Sequence, residues 1–373
     1  MITPPPQRQR SSNLEFYRIV CMLMIVAHHY VVNSGLFAEG GPLRQDLTSA
    51  NSLFLTIFGA WGKTGINCFL MITGYFMCTS QITLRKFIKL MGQIYFYKWI
   101  LFLIFLIAGY ETLSPLKLLK LAMPVWSFEK NFTSCFVGFW LTIPFLNILI
   151  RHMTKRQHEL LLLLLLGFYT ILGTIPQFKI NFNYVTWFCV IYMIASYIRL
   201  HPHPLFKRKQ LWGWLTFATV LTAMLSIAGM HILFGQKGTK IVYYFVSDSN
   251  RFLAVAIGVT SFLWFKNLNF KQSKVINAFG AGTFGVLLIH ANSKAMLQWL
   301  WMDTVDTVGH YARFSTAEMV LYSIFVVFTI FLVCNLIDQL RIATLEKWFF
   351  RWYDNKIAVK ADGIINRKLL KIE

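Results

Sequence analysis

Within the first long apolar stretch, NLEFYRIVCMLMIVAHHYVV, an arginine and a histidine stand eleven residues apart, Arg18 and His29. Eleven residues of α-helix rise about 16 Å. Eleven steps of about 100° return almost to the starting direction. The spacing therefore predicts both side chains on one helical face, Arg18 at a membrane edge and His29 near the middle of the bilayer. Ionisable groups inside a membrane span are expensive, which makes them candidates for function. A neutral imidazole accepts a proton and carries a nucleophilic nitrogen, so general-base or covalent catalysis is the chemistry that His29 offers. The competing reading is a histidine hydrogen-bonded between helices, or one facing an external pore. His28, about 100° further round, is expected to pack against another helix, and Glu15 with Arg18 reads as an ordinary ion pair three residues apart.

The second stretch, GAWGKTGINCFLMITGYFM, carries Gly59, Gly62 and Gly65 at every third position, a pattern that breaks a helix or admits a close neighbour. Lys63 within it is expected to snorkel to the outer face. Thr73, Gly74 and Tyr75 approach the opposite end. Next comes ITLRKFIKLMGQIYFYK, whose Arg85, Lys86 and Lys89 are explained by inner-surface charge alone, and would as a set also clamp phosphates. A later stretch, AGTFGVLLIHANSKAML, places His290 and Lys294 at i, i+4 inside a membrane segment. Asp303, Asp306 and His310 fit no standard metal spacing and read as a solvated loop, so no metal is expected. No P-loop, HExxH or GxSxG is present, which disfavours ATP-driven transport and serine or zinc hydrolysis.

The elements that must position these residues follow from composition. The 373 residues are 56% hydrophobic and 14% charged, with a mean hydropathy of +0.54, too apolar for an ordinary soluble domain. A helix needs roughly 20 mostly apolar residues to cross the hydrocarbon core. Ten such stretches occur, at 14–36, 53–77, 88–109, 132–150, 159–175, 184–200, 211–234, 251–265, 276–299 and 316–340. With the N-terminus inside, and with the edge residues Arg18, Lys89, Arg199 and Arg251 counted with the connections they border, the N-terminal stretch, the even-numbered connections and the tail hold 24 of the 36 Lys and Arg residues, against nine outside and three within spans. The expected fold class is an all-α membrane protein, a bundle of about ten transmembrane helices with cytoplasmic N- and C-termini. Its parts are a polar leader at 1–13, the helical domain at 14–344 and a basic tail at 345–373. The leader shows no small-residue cleavage site, so it does not read as a removable signal peptide. In the tail, WFFRWY is expected to form an amphipathic helix on the inner leaflet. The net charge of +21 favours anionic membrane lipids and phosphorylated substrates as partners, and no separate basic domain points to nucleic acid. The six cysteines, without a CxxC pair, read as apolar fillers.

Together these pieces resemble the acyltransferase family 3 proteins, bacterial ten-helix membrane enzymes that acylate surface glycans. The resemblance runs over almost the whole chain. It rests on an Arg, ten residues and a His in span one, and on GKTGINCFLMITGYFM, where Thr73 stands for the usual serine before Gly-Tyr. It rests also on Arg85, Lys86 and Lys89 in place of an Arg-Arg-x-x-Arg run. PFLNILI and LLIHANS resemble the surface polysaccharide O-acetyltransferase branch, although a tryptophan usual in that branch is replaced by Phe132. The resemblance implies transfer of an acetyl or short acyl group from cytoplasmic acyl-CoA to a hydroxyl of a cell-surface glycan or lipid-linked sugar, in a bacterial plasma membrane. Acetyl-CoA would be a donor substrate, with no cofactor bound. Arg18, Arg85, Lys86 and Lys89 would bind the acyl-CoA, with His29 catalytic as base or acyl carrier and Thr73, Tyr75 and His290 supporting. A transporter or flippase of a lipid-linked or acylated sugar is the alternative, and a polysaccharide polymerase lacks the long external loop it would need.

Overall fold

Each apolar stretch becomes a helix, and most begin on a residue whose side chain accepts from the free amides of the first turn. In the computed structural model, which describes residues 10–123, 125, 131–178 and 180–356, helix α1 runs Ser12–Val32. Ser49 caps α2 (Ala50–Phe58), and a break at residues 59–61 separates it from α3 (Gly62–Met77). Thr83 caps α4 (Leu84–Ile107), Ser114 caps the short α5 (Pro115–Ala122), and Asn131 caps α6 (Phe132–His152). A capping box of Thr154 and Gln157 starts α7 (Lys155–Leu166), and Asn183 caps α8 (Tyr184–Leu200). Then follow α9 (Lys209–Phe234), α10 (Phe252–Lys266), α11 (Lys274–His290), α12 (Thr316–Arg341) and α13 (Lys347–Lys356). Leader residues 1–9 and tail residues 357–373 lie outside the described residues.

Among the described residues six helical stretches are long and apolar enough to cross a bilayer, and a seventh results if the bent pair Lys274–His290 and Lys294–Tyr311 is one span. Tyr184–Leu200 and Phe252–Lys266 are shorter apolar helices, and with α7 each of the ten expected stretches coincides with a helix. Along α12, Leu321, Phe325, Phe328, Leu332, Leu336 and Leu340 are all exposed at helical spacing, a stripe suited to lipid.

Hydrogen bonds sort the connections into two ends. At one end the start of α1 meets the chain between α10 and α11, through Asn13 to the carbonyls of Phe265 and Lys266 and Ser12 to Asn277. At that end too Arg85 meets Asp354 of α13. At the other end Ser49 meets Tyr311, Tyr110 donates to Asp303, and Arg251 donates to the Gly173 carbonyl. Asn147 at the end of α6 donates to the Met77 carbonyl and Asn267 to the Phe206 carbonyl, so even-numbered connections gather on one side with the start of α1 and with α13, and odd-numbered ones on the other. This is the alternation that ten crossings require, and the basic loops mark the first side as the inner one.

At the centre, α1 packs on α3, α11 and α12, and α3 in turn on α8 and α10. The glycine pattern serves both purposes open to it. The α2–α3 break begins at Gly59, while a Cβ at Gly62 would sit 2.3 Å from the His28 ring and one at Gly59 2.5 Å from Val31.

Two elements depart from expectation. The ninth stretch is not one helix over 276–299: α11 stops at His290 and the chain turns by 94°. Asn292 turns back to the Leu288 carbonyl and Ser293 caps the next helix, so polar side chains compete with the helical ladder just where the apolar run ends. His290 and Lys294 are therefore not i, i+4 neighbours on one helix. The tail's aromatic run does form a helix, but α13 continues α12 through a wider turn at Ile342–Glu346 and buries Phe350 and Tyr353 against the protein.

If close approach at Gly62 is what holds α1 to α3, Gly62→Ala should cost about 1–3 kcal/mol through displacement of His28. Gly92→Ala, where a Cβ meets open space within α4, should instead stabilise by about 0.5–1 kcal/mol. Thermal unfolding of both variants in detergent checks the contrast.

Candidate active site

His29 stands in the last turn of α1, about 26 Å along the axis from Ser12. It therefore lies nearer the outer end than the half-depth expected of it. His290 ends α11 at the same level, and His29 Nδ1 lies 2.9 Å from His290 Nε2. The other nitrogen of His290, Nδ1, is 2.6 Å from the Val286 carbonyl. A carbonyl only accepts, so His290 Nδ1 carries the proton, and in the neutral ring its Nε2 is a bare lone pair. His29 must then donate from Nδ1, which leaves His29 Nε2 as an acceptor. The imidazole pair thus fixes a tautomer with no carboxylate involved.

His29 lines a cavity of about 430 Å³, formed by α1, α3, α4 and α11 together with Lys120 of α5 and the start of α6. His28 lines it as well, its Nδ1 donating to the Gly59 carbonyl at 2.6 Å, so packing on α3 and facing the cavity are both true of it. Three lysines, Lys63, Lys98 and Lys120, share the lining with Asn131, Ser134 and Asn292. Lys63 does not simply snorkel. It donates to the Tyr184 hydroxyl and lies 4.8 Å from that ring's centroid, and the hydroxyl in turn is 3.5 Å from Asp248 Oδ1. Lys98 reaches the carbonyls of Lys120 and Met123, each at 2.6 Å.

The basic residues gather elsewhere. Arg85 makes paired hydrogen bonds to Asp354 at 2.9 and 3.0 Å and lies over the Phe350 ring, while Lys89 is 2.5 Å from Glu346. These residues line a second cavity of about 500 Å³ between α4 and α13, at the inner end. Lys86 bonds Ser80 and the Gln81 carbonyl. Arg18 lines neither cavity and pairs with Glu15 at 3.7 Å. Thr73 returns its hydroxyl to the Phe69 carbonyl, and Tyr75 accepts from Arg199 at 2.9 Å, both about 15 Å or more down α3 from Lys63. The structure thus joins His29 to His290 and Arg85 to Lys89, and brings neither Arg18, Thr73 nor Tyr75 to the histidines.

Over this bundle a family model for the acyltransferase 3 domain, described as "Acyltransferase domain", matches residues 11–338. The chain belongs to the acyltransferase 3 family. No curated protein and no solved structure gives a match. Family membership makes the chain a membrane acyltransferase, with an acyl donor and an acceptor as its two substrates.

Several residues of this acyltransferase were missed in the sequence. Lys98 is an ionisable residue inside a span, a signal that was present. Asp338 is another: fully buried in α12, it accepts from Tyr97 at 2.8 Å, Gln93 at 3.2 Å and Arg341 at 2.7 Å, and Arg341 links onward to Glu346. Among the described residues no group of three or more His, Cys, Asp or Glu side chains is placed to hold a metal ion.

If His290 sets the tautomer of His29, His290→Ala should lower acyl-transfer kcat by about 10²-fold or more with little change in either KM. His290→Gln, whose side chain can still accept at that level, should recover part of the loss.

Proposed function

We propose that this acyltransferase moves an acetyl or other short acyl group from cytoplasmic acyl-CoA to a hydroxyl of an envelope glycan in a bacterial plasma membrane, with His29 as the base. The observation that carries the reading is the chain from the Val286 carbonyl through His290 to His29, which leaves Nε2 as the accepting nitrogen of a histidine that lines a cavity. There the acceptor hydroxyl gives its proton to His29 Nε2 as its oxygen attacks the thioester carbon. The carbon–sulfur bond then breaks, and the departing thiolate takes the proton back from His29 to leave CoA thiol. The alternative use of the same nitrogen, attack on the thioester to give an acyl-imidazole, balances equally and differs by a covalent intermediate. The likeness of PFLNILI and LLIHANS to the polysaccharide O-acetyltransferase branch favours a surface glycan and an acetyl group.

Arg18, Arg85, Lys86 and Lys89 bind the donor's phosphates at the inner end in this reading, and Tyr75 keeps a further cation, Arg199, at that level. Thr73 supports the same end of α3 through its bond to Phe69. Donor phosphates must then exchange with Asp354 and Glu346, the carboxylates that occupy Arg85 and Lys89 in this structure.

In lipid nanodiscs, release of free thiol from acetyl-CoA in the presence of an acceptor glycan should fall at least about 10²-fold in His29→Gln. His28→Gln should stay within about tenfold of the parent, and the reverse order would move the base to His28. Asp354→Asn should lower the KM for acetyl-CoA severalfold, because a competing anion is removed from Arg85. An unchanged KM in Asp354→Asn together with unchanged KM in Arg85→Gln would remove the inner cavity from donor binding.

A further inference from the structure

Two imidazoles, and not one, line the cavity at the end of α1. His28 and His29 follow each other in the last turns of that helix, with ring centroids 5.8 Å apart. A base for one hydroxyl needs only one of them. Yet His28 is fixed as firmly as His29. Its Nδ1 donates to the Gly59 carbonyl at 2.6 Å, and its ring packs on Gly62, where a Cβ would stand 2.3 Å from Cδ2. A carbonyl only accepts, so in the neutral ring the His28 proton is on Nδ1 and Nε2 is a lone pair. Among the described residues Nε2 of His28 has no hydrogen-bond partner, and the same holds for Nε2 of His29. A carbonyl at the α2–α3 break and a histidine on α11 thus set the same tautomer in two neighbouring rings. Two such acceptors match a pair of donors. Other polar groups of the lining do not duplicate them, since Lys63 and Lys98 only donate and the Asn131 side-chain oxygen accepts from the Ser134 amide. A sugar offers such a pair in hydroxyls on neighbouring ring carbons. Each reaches out by one hydrogen bond of about 2.8 Å, and two of these bonds span rings at this separation.

We propose that His28 is a specificity residue for the acceptor. The cavity takes a sugar bearing two hydroxyls on neighbouring carbons, one donating to His29 Nε2 and receiving the acyl group, the other donating to His28 Nε2 and left unmodified. The inference rests on the reading of His29 as the base and names the feature of the acceptor that stands beside the acylated position. Only the first hydroxyl loses its proton. The second keeps its O–H bond throughout, so His28 alters neither the bonds made nor the bonds broken, and acts by holding the attacking oxygen in place. An acceptor without the neighbouring hydroxyl leaves the His28 lone pair unmatched, which is how a site built to bind a hydroxyl rejects the analogue that lacks it.

The test uses the full chain in lipid nanodiscs with acetyl-CoA and three probes: cis-1,2-cyclohexanediol, trans-1,2-cyclohexanediol and trans-1,4-cyclohexanediol. The 1,4-diol has as many hydroxyls as the others but no adjacent pair. Thiol release above that seen without any alcohol should give at least one 1,2-diol a kcat/KM about tenfold or more above that of the 1,4-diol. His28→Leu, which keeps bulk against Gly62 and removes the lone pair, should bring the two within about twofold of each other. His28→Gln, whose side-chain oxygen can still accept, should retain part of the preference. A role in packing alone would lower all three probes in proportion and leave their ratio where it was. Equal rates for the 1,2- and 1,4-diols would overturn the proposal, as would a preference that survives His28→Leu, or no thiol release with any of the probes. Thiol release that persists in His29→Gln, with the preference still dependent on His28, removes His29 as the base and leaves the acceptor reading standing. Release that requires His29 but ignores the spacing of the hydroxyls does the opposite.

Discussion

Helices in a bilayer gain nothing from hiding apolar surface from one another, because lipid tails are as apolar as leucine, so their association depends on how closely they can approach. In this protein that approach is made on α1. Gly62 and Gly65 of α3 leave room for His28, Cys21 and Ile25 of α1, and on the opposite side Gly280 of α11 receives Glu15. Were these positions to carry side chains, α1 would stand off from both neighbours. His29 would then lose the hydrogen-bonding distance to His290, and the cavity beside it would lose its walls. The small residues that look like mere packing are thus the condition for the histidine pair.

The same scarcity of space governs the polar groups. A buried carboxylate at Asp338 is tolerated because Tyr97, Gln93 and Arg341 all turn donors toward it, and Gly285 leaves its side chain room on α11. From Arg341 the network passes to Glu346, Lys89 and the start of α4, so α12, α13 and α4 are tied together at the inner end by charge. Around the histidine cavity at the outer end the ties include imidazole to imidazole, lysine to phenol and lysine to carbonyl. The inner end is thus held by ion pairs that join three helices.

The sequence by itself determined the helical class, the position of nearly every apolar helix and the alternation of basic loops, because those follow from hydrophobic run length and from where Lys and Arg are tolerated. It also singled out His29 and His290 as ionisable residues in apolar surroundings. That the two form one hydrogen-bonded pair, 261 positions apart in the chain, was decided by the packing of α11 on α1. The stop of α11 at His290 was legible too, in the Asn292 and Ser293 that close the apolar run, but hydrophobic length alone carried the reading past it. Tertiary structure alone placed His29 near the outer end, since depth is set by where α1 begins and not by the interval from Arg18. And it alone showed that Lys63, Lys98 and Lys120 share a cavity while Arg85 is held by Asp354 and Lys89 by Glu346, for a local pattern records which residues carry charge but not which distant partners they meet.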